Sequence, residues 1–361
     1  MKVVTISQCE GKPGELYYPL SVQELAPPIP QPSESQILVK ISAASLNHRD
    51  HFIRQHLYPG VAFNVVLGSD CVGRVVSVGP DAKNESLIDR RVLVYPAKGW
   101  ISKVSAPENP GAFAILGGTS FYASGTLAEY LLLESADLIS DCPAHLDDLH
   151  AAALPLAGLT AYRAVVTQAQ IGAGSTLLVT GAGGGVAIYA VQIAKALGAK
   201  VFVTSGSQEK LNFVTETLKA DGGVLYTAKD WGKKLLLLLH QNGLSGVDAV
   251  VDGSGGKTLS QLVRSLNAGG KFVSYGMTTE PRLEVAMGAV LKHLSVIGST
   301  MGSKREFDGM IELVHKHRII PIVSSVIQGL ENTEEAFQAL VAPGRVGKVV
   351  INIRQPKYAN I

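Results

Sequence analysis

The chain is short of charge and of cysteine, and it has no long apolar run. Charged residues are 17% of the 361 positions, and the formal net charge is +2. A balance so close to zero gives no field for a nucleic acid or an anionic membrane surface. The three cysteines, Cys9, Cys71 and Cys142, lie far apart with no CxxC pair. That spacing excludes a disulfide framework and a zinc ribbon and fits a reducing compartment. The longest leucine run, Leu235–Leu239, is far too short to span a bilayer and reads as part of a helix packed in the interior. No charged-then-apolar leader opens the chain, so a cytoplasmic location is expected. What the chain does have is a hydrophobic content of 46% and enough length for two domains, the profile of a well-buried globular enzyme.

The sequence is organised around Val179-Thr180-Gly181-Ala182-Gly183-Gly184-Gly185-Val186-Ala187. An apolar, β-branched run, Thr176–Thr180, leads into it. A segment with helical periodicity follows, with Val186, Ala190, Ile193, Ala194 and Leu197 on one face and Gly198 as its cap. A second strand-like run, Lys200–Thr204, comes next. Strand, glycine turn, helix and strand in this order give a glycine pattern its meaning. Glycines let the backbone approach a pyrophosphate, and the helix N-terminus offers it free N–H groups and partial positive charge. Dinucleotide binding by Gly181, Gly183, Gly184, Gly185 and Val186 is the expectation; a tight turn without a ligand is the alternative.

Before this unit the chain reads as mainly β. Gln36–Ile41, Val72–Gly79 and Arg91–Tyr95 are candidate strands, and Pro27, Pro28, Pro30 and Pro32 mark an extended connection. Asp147 to Gln170 reads as a helix. Strand and helix patterns then alternate, with Val247–Val251, Lys271–Tyr275 and Ser295–Ile297 as further strands, which argues for a doubly wound parallel sheet. Glu306 to Arg318 reads as a helix, and Gly347–Ile353 as a closing strand.

Several segments, in order and over nearly the whole chain, resemble the medium-chain dehydrogenase/reductase superfamily. They are Asn47-His48-Arg49-Asp50 with Tyr58-Pro59-Gly60, Leu67–Val75, Ala152–Tyr162 and Gly347-Lys348-Val349-Val350. The resemblance implies an α/β chain in which a GroES-like distorted β-barrel catalytic domain, 1–146 and 299–361, is interrupted by a doubly wound parallel Rossmann domain, 147–298. The zinc alcohol dehydrogenases of that superfamily carry Cys where this chain has Asn47 and His where it has Ser69, followed by an acid, here Asp70. Their third ligand position matches Leu156. Asn, Ser and Leu do not make a tetrahedral zinc site. The lobe that holds a structural zinc in those enzymes, here Ala97 to Gly118, contains no cysteine. The resemblance therefore points to the zinc-free, quinone oxidoreductase-like branch with no metal, and His48, His51 and His56 are read as ordinary histidines. Asp70 is expected to hold local structure through Arg49 or Arg74.

An NAD enzyme usually has an acid at the end of the second strand, bonded to the ribose 2′-hydroxyl. Here that place is Ser205, followed by Gly206 and Ser207, with Lys210 able to neutralise a 2′-phosphate, so NADPH is the expected cofactor. The resemblance puts Tyr226 near the adenine and Thr160 near the nicotinamide-side phosphate. It puts Asp252, Ser254, Tyr275 and Gly276 along the cleft. Without a metal to polarise a simple ketone, hydride transfer suits a small-molecule substrate that is already conjugated, a quinone or an α,β-unsaturated carbonyl. Asn47 is the candidate orienting amide for nicotinamide ribose or substrate. Tyr58 is the candidate proton donor, and Phe52, Trp100, Phe121 and Met277 join it in shaping the pocket. A zinc-free alcohol or aldehyde reductase stays open as an alternative, and so does a non-catalytic NADPH-binding protein of sensor or crystallin-like type. A homodimer through the strand at Ser295–Ser299 is expected, because an unprotected apolar edge strand favours pairing with its two-fold mate.

Overall fold

A computed structural model describes residues 1–25, 29–80 and 85–354. Pro27 and Pro28 lie outside the described residues. Two compact units form: Met1–Leu156 with Ser303–Ile361, and Ala157–Gly302.

The chain begins in the first unit with β1 (Lys2–Ile6), β2 (Leu20–Glu24), β3 (Ile37–Ser45), α1 (His48–Arg54), β4 (Asp70–Val78) and β5 (Arg91–Val94). The short β6 (Ala97–Lys98) and β7 (Ala114–Ile115) follow, then β8 (Tyr130–Leu133), β9 (Ile139–Asp141) and α2 (Asp148–Ala152); α3 (Pro155–Tyr162) starts at the end of this unit and runs into the second. The second unit holds β10 (Thr176–Val179), α4 (Gly185–Ala196), β11 (Lys200–Ser205), α5 (Gln208–Glu216), β12 (Gly222–Leu225) and α6 (Trp231–Gln241). It continues through β13 (Val247–Asp252), β14 (Gly255–Gly256), α7 (Thr258–Leu262), β15 (Leu266–Ser274), β16 (Glu280–Leu283), α8 (Met287–Leu291) and β17 (Ser295–Gly298). The return segment adds α9 (Lys304–His317), β18 (Val323–Gln328), α10 (Thr333–Val341) and β19 (Lys348–Asn352) to the first unit.

In the first unit seven strands form one sheet, in the order β18-β19-β3-β4-β5-β9, with β8 also on β3. Its central strand, β3, is buried along its length except at Lys40. Val39, Ile41, Val75, Val92, Val94, Leu131 and Leu133 fill the interior with Phe337 and Leu340 of α10. This is the GroES-like barrel. The last strand closes it: β19 runs antiparallel to β3 with Val350 opposite Ser45, and Ser45 lies opposite Asp70 of β4.

In the second unit six parallel strands run β12-β11-β10-β13-β15-β17. β10 is buried at every residue. A strand covered on both faces needs a continuous apolar run rather than an alternating one. The chain goes outward from β10 to β12, then returns to β13 on the other side. The strand order therefore reverses between β10 and β13, the place where doubly wound sheets open a crevice for ligands.

The expected helix from Asp147 to Gln170 is broken into three pieces. α2 ends at Ala152, Leu154 precedes Pro155, and Pro155 starts α3. A residue before proline is pushed out of the helical region, whereas proline itself fits the first turn. Residues Arg163–Gln168 then wind as a π-helix, with the Ala169 N–H on the Ala164 carbonyl at 2.9 Å. α2 packs on β3, β4 and β19, which draws residues 147–156 into the first unit. At the other junction the Ser299 N–H bonds the Ser274 carbonyl and keeps that stretch with the second unit. The two compact units part after Leu156 and after Gly302. The leucine run is also less interior than expected. Leu235 and Leu239 are fully buried, whereas Leu237 is 58% exposed, as befits a surface helix with one apolar face.

Candidate active site

The glycine turn is fastened at both ends by threonines. Thr180 Oγ1 donates to Asp252 Oδ1 at 2.6 Å, tying the end of β10 to the end of β13. Thr204 Oγ1 accepts the Gly181 N–H at 3.2 Å, and its carbonyl accepts the Ala182 N–H at 2.8 Å. Gly181 (φ 67°) and Gly183 (φ 122°) sit where side chains are disfavoured. Gly184 is the extended N-cap of α4 and no side chain caps the helix. The first N–H groups of α4, those of Gly185 and Val186 among them, are therefore left for an anion.

A second cluster lies at the end of β11. A Cβ on Gly183 would come within 2.9 Å of Lys210 Cδ, so the Lys210 side chain lies across the glycine turn. Ser207 caps α5 by accepting the Lys210 N–H at 3.3 Å, and Ser205 Oγ accepts the Ser207 N–H at 3.3 Å. Each hydroxyl acts as acceptor in these bonds; Ser205 is fully buried, whereas Ser207 is partly exposed. The Tyr226 hydroxyl stands over Gly206, 2.5 Å from where a Cβ would be. Ser205, Gly206, Ser207, Lys210 and Tyr226 are thus brought together beside Gly183. Glu209, which the sequence reading did not weigh, is exposed on the first turn of α5.

Other candidates in this unit turn inward. Asp252 is fully buried, and its carboxylate accepts Thr180, the Ser254 hydroxyl at 2.5 Å and the Gly255 N–H at 2.9 Å. Asp252 and Ser254 build the turn after β13 instead of presenting free groups to a ligand. The Tyr275 ring packs against Gly253, where a Cβ would meet it at 2.5 Å, and the Gly276 carbonyl accepts Ser274 Oγ at 3.2 Å. Thr160 is buried in α3.

In the first unit the strand register gathers residues far apart in sequence. Asn47 is the N-cap residue of α1, and its backbone N–H donates to Asp50 Oδ2 at 2.8 Å. Its carboxamide turns to the strands instead: Nδ2 donates to Asp70 Oδ2 at 2.9 Å, and Oδ1 accepts Lys348 Nζ at 2.5 Å. Lys348 also donates to Asp70 Oδ2 at 3.0 Å and to the Leu46 carbonyl at 2.7 Å. Asp70 further accepts Ser45 Oγ at 3.0 Å and the Leu156 N–H at 2.8 Å. The ion pair is closed off, with the Lys348 side chain 4% and the Asp70 side chain 0% exposed. Burial draws the Lys348 pKa down, and the facing Asp70 carboxylate opposes that shift.

The expected anchors of Asp70 are therefore replaced. Arg49 donates instead to Ser69 Oγ at 2.8 Å and to the carbonyls of Leu116 and Gly117, and lies 3.5 Å from Asp50 Oδ1. Arg74 reaches the Asp89 carbonyl at the surface. The Tyr58 ring lies on the Arg49 guanidinium, 4.7 Å from its centroid. Arg49 Nε and Asp50 Oδ1 are buried without a hydrogen-bond partner. Burial raises the Asp50 pKa, opposed by Arg49. Lys348 is the residue the sequence reading missed; the available signal was a lysine opening an otherwise apolar closing strand.

These groups do not fit zinc. Both ends of the Asn47 carboxamide are engaged, Ser69 Oγ is held by Arg49 and donates to the Leu116 carbonyl at 2.7 Å, and Leu156 brings a backbone N–H. An ammonium sits in the midst of the set. Among the described residues no group of three or more His, Cys, Asp or Glu side chains is placed to hold a metal. Two of the early histidines pair with tyrosines: His51 Nδ1 with the Tyr17 hydroxyl at 3.0 Å, and His56 Nδ1 with Tyr18 at 2.6 Å.

The lobe Ala97 to Gly118 is held by a carboxylate. Glu108 accepts the N–H groups of Ile101, Ser102 and Lys103 at 2.7, 2.7 and 2.8 Å. These backbone bonds hold its pKa down at about 2. Trp100 is buried here, with Nε1 on the Lys103 carbonyl at 2.7 Å and its ring edge-on to Phe113. It is a prop of the lobe and not the pocket wall expected of it. Phe121 and Met277 are exposed.

Two family models match the chain, one within the first unit and one running from the second unit into α9. The family model for the alcohol dehydrogenase GroES-like domain matches residues 33–143, and that for zinc-binding dehydrogenase matches 185–316. A zinc-type alcohol dehydrogenase-like protein, YogA, from Leptosphaeria maculans is 36% identical, over 97% of this chain and 99% of the relative. An acryloyl-coenzyme A reductase from Sulfurisphaera tokodaii is 28% identical, over 90% of this chain and 94% of the relative. Among solved structures, an NAD-dependent alcohol dehydrogenase superposes with a TM-score of 0.83 at 31% identity, covering 98% of this chain and all of that one.

Proposed function

The chain belongs to the medium-chain dehydrogenase/reductase superfamily of oxidoreductases, and from that premise we propose that it is a zinc-independent reductase passing hydride from NADPH to quinones or α,β-unsaturated carbonyls. The observation that carries this reading is the saturated set around Asp70, with the Lys348 ammonium where a metal cation would be repelled. Without a Lewis acid, a simple ketone is poorly polarised, whereas a conjugated acceptor spreads the charge that hydride addition creates. NADPH, when bound, supplies the hydride. The chain supplies orientation and donors for the developing enolate oxygen. The second Nδ2 hydrogen of Asn47 and the Tyr58 hydroxyl are our candidates. Gly181, Gly183, Gly184, Gly185 and Val186 cradle the pyrophosphate in this reading. Ser205, Gly206, Ser207 and Lys210 take the 2′-phosphate, Tyr226 faces the adenine, and Thr160, Tyr275 and Gly276 lie toward the nicotinamide. The relative named for acryloyl-coenzyme A, itself an α,β-unsaturated thioester, supports the conjugated class.

The likeness to an NAD-dependent alcohol dehydrogenase favours a second reading, reduction of alcohol-forming simple carbonyls without zinc. Steady-state oxidation of NADPH and NADH with quinones, enones, enoyl thioesters and simple aldehydes separates the two. Turnover of conjugated acceptors with NADPH is expected; turnover confined to simple aldehydes selects the second, and no turnover leaves a nucleotide-binding protein. We place the protein in the cytoplasm, consistent with three free cysteines and with the absence, among described residues, of a helix long and apolar enough to cross a membrane. We also propose a homodimer through β17. Among the described residues that strand pairs only with β15, Val296 is exposed, and Met287, Val290 and Leu291 of α8 are exposed as well.

A further inference from the structure

We infer that Lys348 is a positioning residue: its ammonium, held by Asp70, locks the Asn47 carboxamide in one orientation and leaves a single Nδ2 hydrogen free to donate. This rests on the reading of Asn47 as a donor to bound nicotinamide ribose or acceptor. An asparagine side chain has two ends, and a 180° turn exchanges a donor for an acceptor. Here the exchange is forbidden. Oδ1 faces a cation at 2.5 Å and Nδ2 faces a carboxylate oxygen at 2.9 Å, so a flip would set N–H against ammonium and carbonyl against carboxylate. The same cation and carboxylate are themselves fixed, Lys348 by the Leu46 carbonyl, Asp70 by Ser45 and by the Leu156 N–H. The main chain beneath it is anchored as well, the Asn47 backbone N–H being held by Asp50. Of the hydrogens on this set, the second one on Nδ2 has no protein acceptor in the network. A preorganised donor of this kind costs nothing to arrange when charge develops on an acceptor oxygen.

A purely structural role would make a different prediction, and a double substitution separates them. Lys348→Met alone leaves Asp70 buried and uncompensated; Lys348→Met with Asp70→Asn leaves no unpaired charge. The neutral pair should regain most of the melting temperature lost by the single variant. It should keep NADPH affinity, yet hold kcat down by on the order of 10²-fold, the cost of a misplaced reacting group. Asn47→Ala should lower kcat similarly in the native background and add little in the neutral one, since residues acting as a unit are not additive. Recovery of kcat together with stability in Lys348→Met/Asp70→Asn overturns the proposal. A measurement on the native protein needs no turnover and neither of the Lys348 variants, only Asn47→Ala for assignment. With asparagine 15N-labelled, and the Asn47 signal assigned by its loss in Asn47→Ala, one Nδ2 hydrogen should exchange slowly with solvent and its twin fast. Equal, rapid exchange of both hydrogens also overturns it. Native protein that shows the slow hydrogen but reduces no acceptor would instead refute the reductase reading and leave the locked amide standing.

Discussion

At Asn47, Asp70 and Lys348 a buried ammonium stands among carboxylate and amide groups; in the lobe Ala97 to Gly118 an exposed carboxylate stands among backbone N–H groups. Both match, by the resemblance, the metal positions of the zinc alcohol dehydrogenases, and neither carries a donor set for zinc. The difference lies in solvent. Inside the sheet, an ion pair has to match charge with charge and fill every remaining lone pair, because an unpaired partner is expensive there. At the surface, one carboxylate gathers three successive N–H groups, and water shares the load. The first arrangement binds three strands and a helix into one unit, whereas the second closes one loop.

The comparison breaks most visibly at Lys348. Replacing it with Met strands the Asp70 carboxylate and should cost about 3–5 kcal/mol of stability, read from urea or thermal unfolding. A loss under about 1 kcal/mol, the scale of an exposed pair, would put the network on the same footing as a surface contact. Next in size is Lys210→Ala, in the second unit. It should weaken NADPH binding by about 1.5–3 kcal/mol, roughly tenfold or more, while leaving NADH affinity and the melting curve close to native. Calorimetric titration showing equal losses for both cofactors would remove Lys210 from the 2′-phosphate site.

Smallest is Glu108→Gln. It should leave global melting nearly unchanged and speed proteolysis or amide exchange in residues 101–108. The pH dependence has a definite sign. The folded pKa of Glu108, about 2, lies below the ordinary carboxyl value, so the tether is fully present above that ordinary value. It is lost as pH falls toward 2. Loop exchange that rises with increasing pH beyond its intrinsic base dependence, rather than on acidification, would contradict the nest.

The glycine unit was legible because its signals are local. Turn, helix and flanking strands follow one another from Thr176 to Ser205, and each is specified by its neighbours. The ends of β13 and β15 read less well. Asp252 and Tyr275 fall at the expected strand ends, but whether a side chain faces a ligand or its own turn depends on Thr180 and Gly253, far off in sequence. The Lys348 network was not legible. Ser45, Asn47, Asp70 and Lys348 meet only through two antiparallel registers, β19 on β3 and β3 on β4. A lysine opening an apolar strand was the local trace of it, and sequence alone names no partner. Breakage of the 147–170 helix was legible in principle, since Pro155 marks it.

The most direct measurement is the metal content of protein purified without chelator, together with NADPH-dependent reduction of a conjugated acceptor before and after EDTA. No stoichiometric zinc and the same rate on both sides of the treatment are expected. One tightly held zinc per chain, or activity lost to EDTA and restored by zinc, would contradict it.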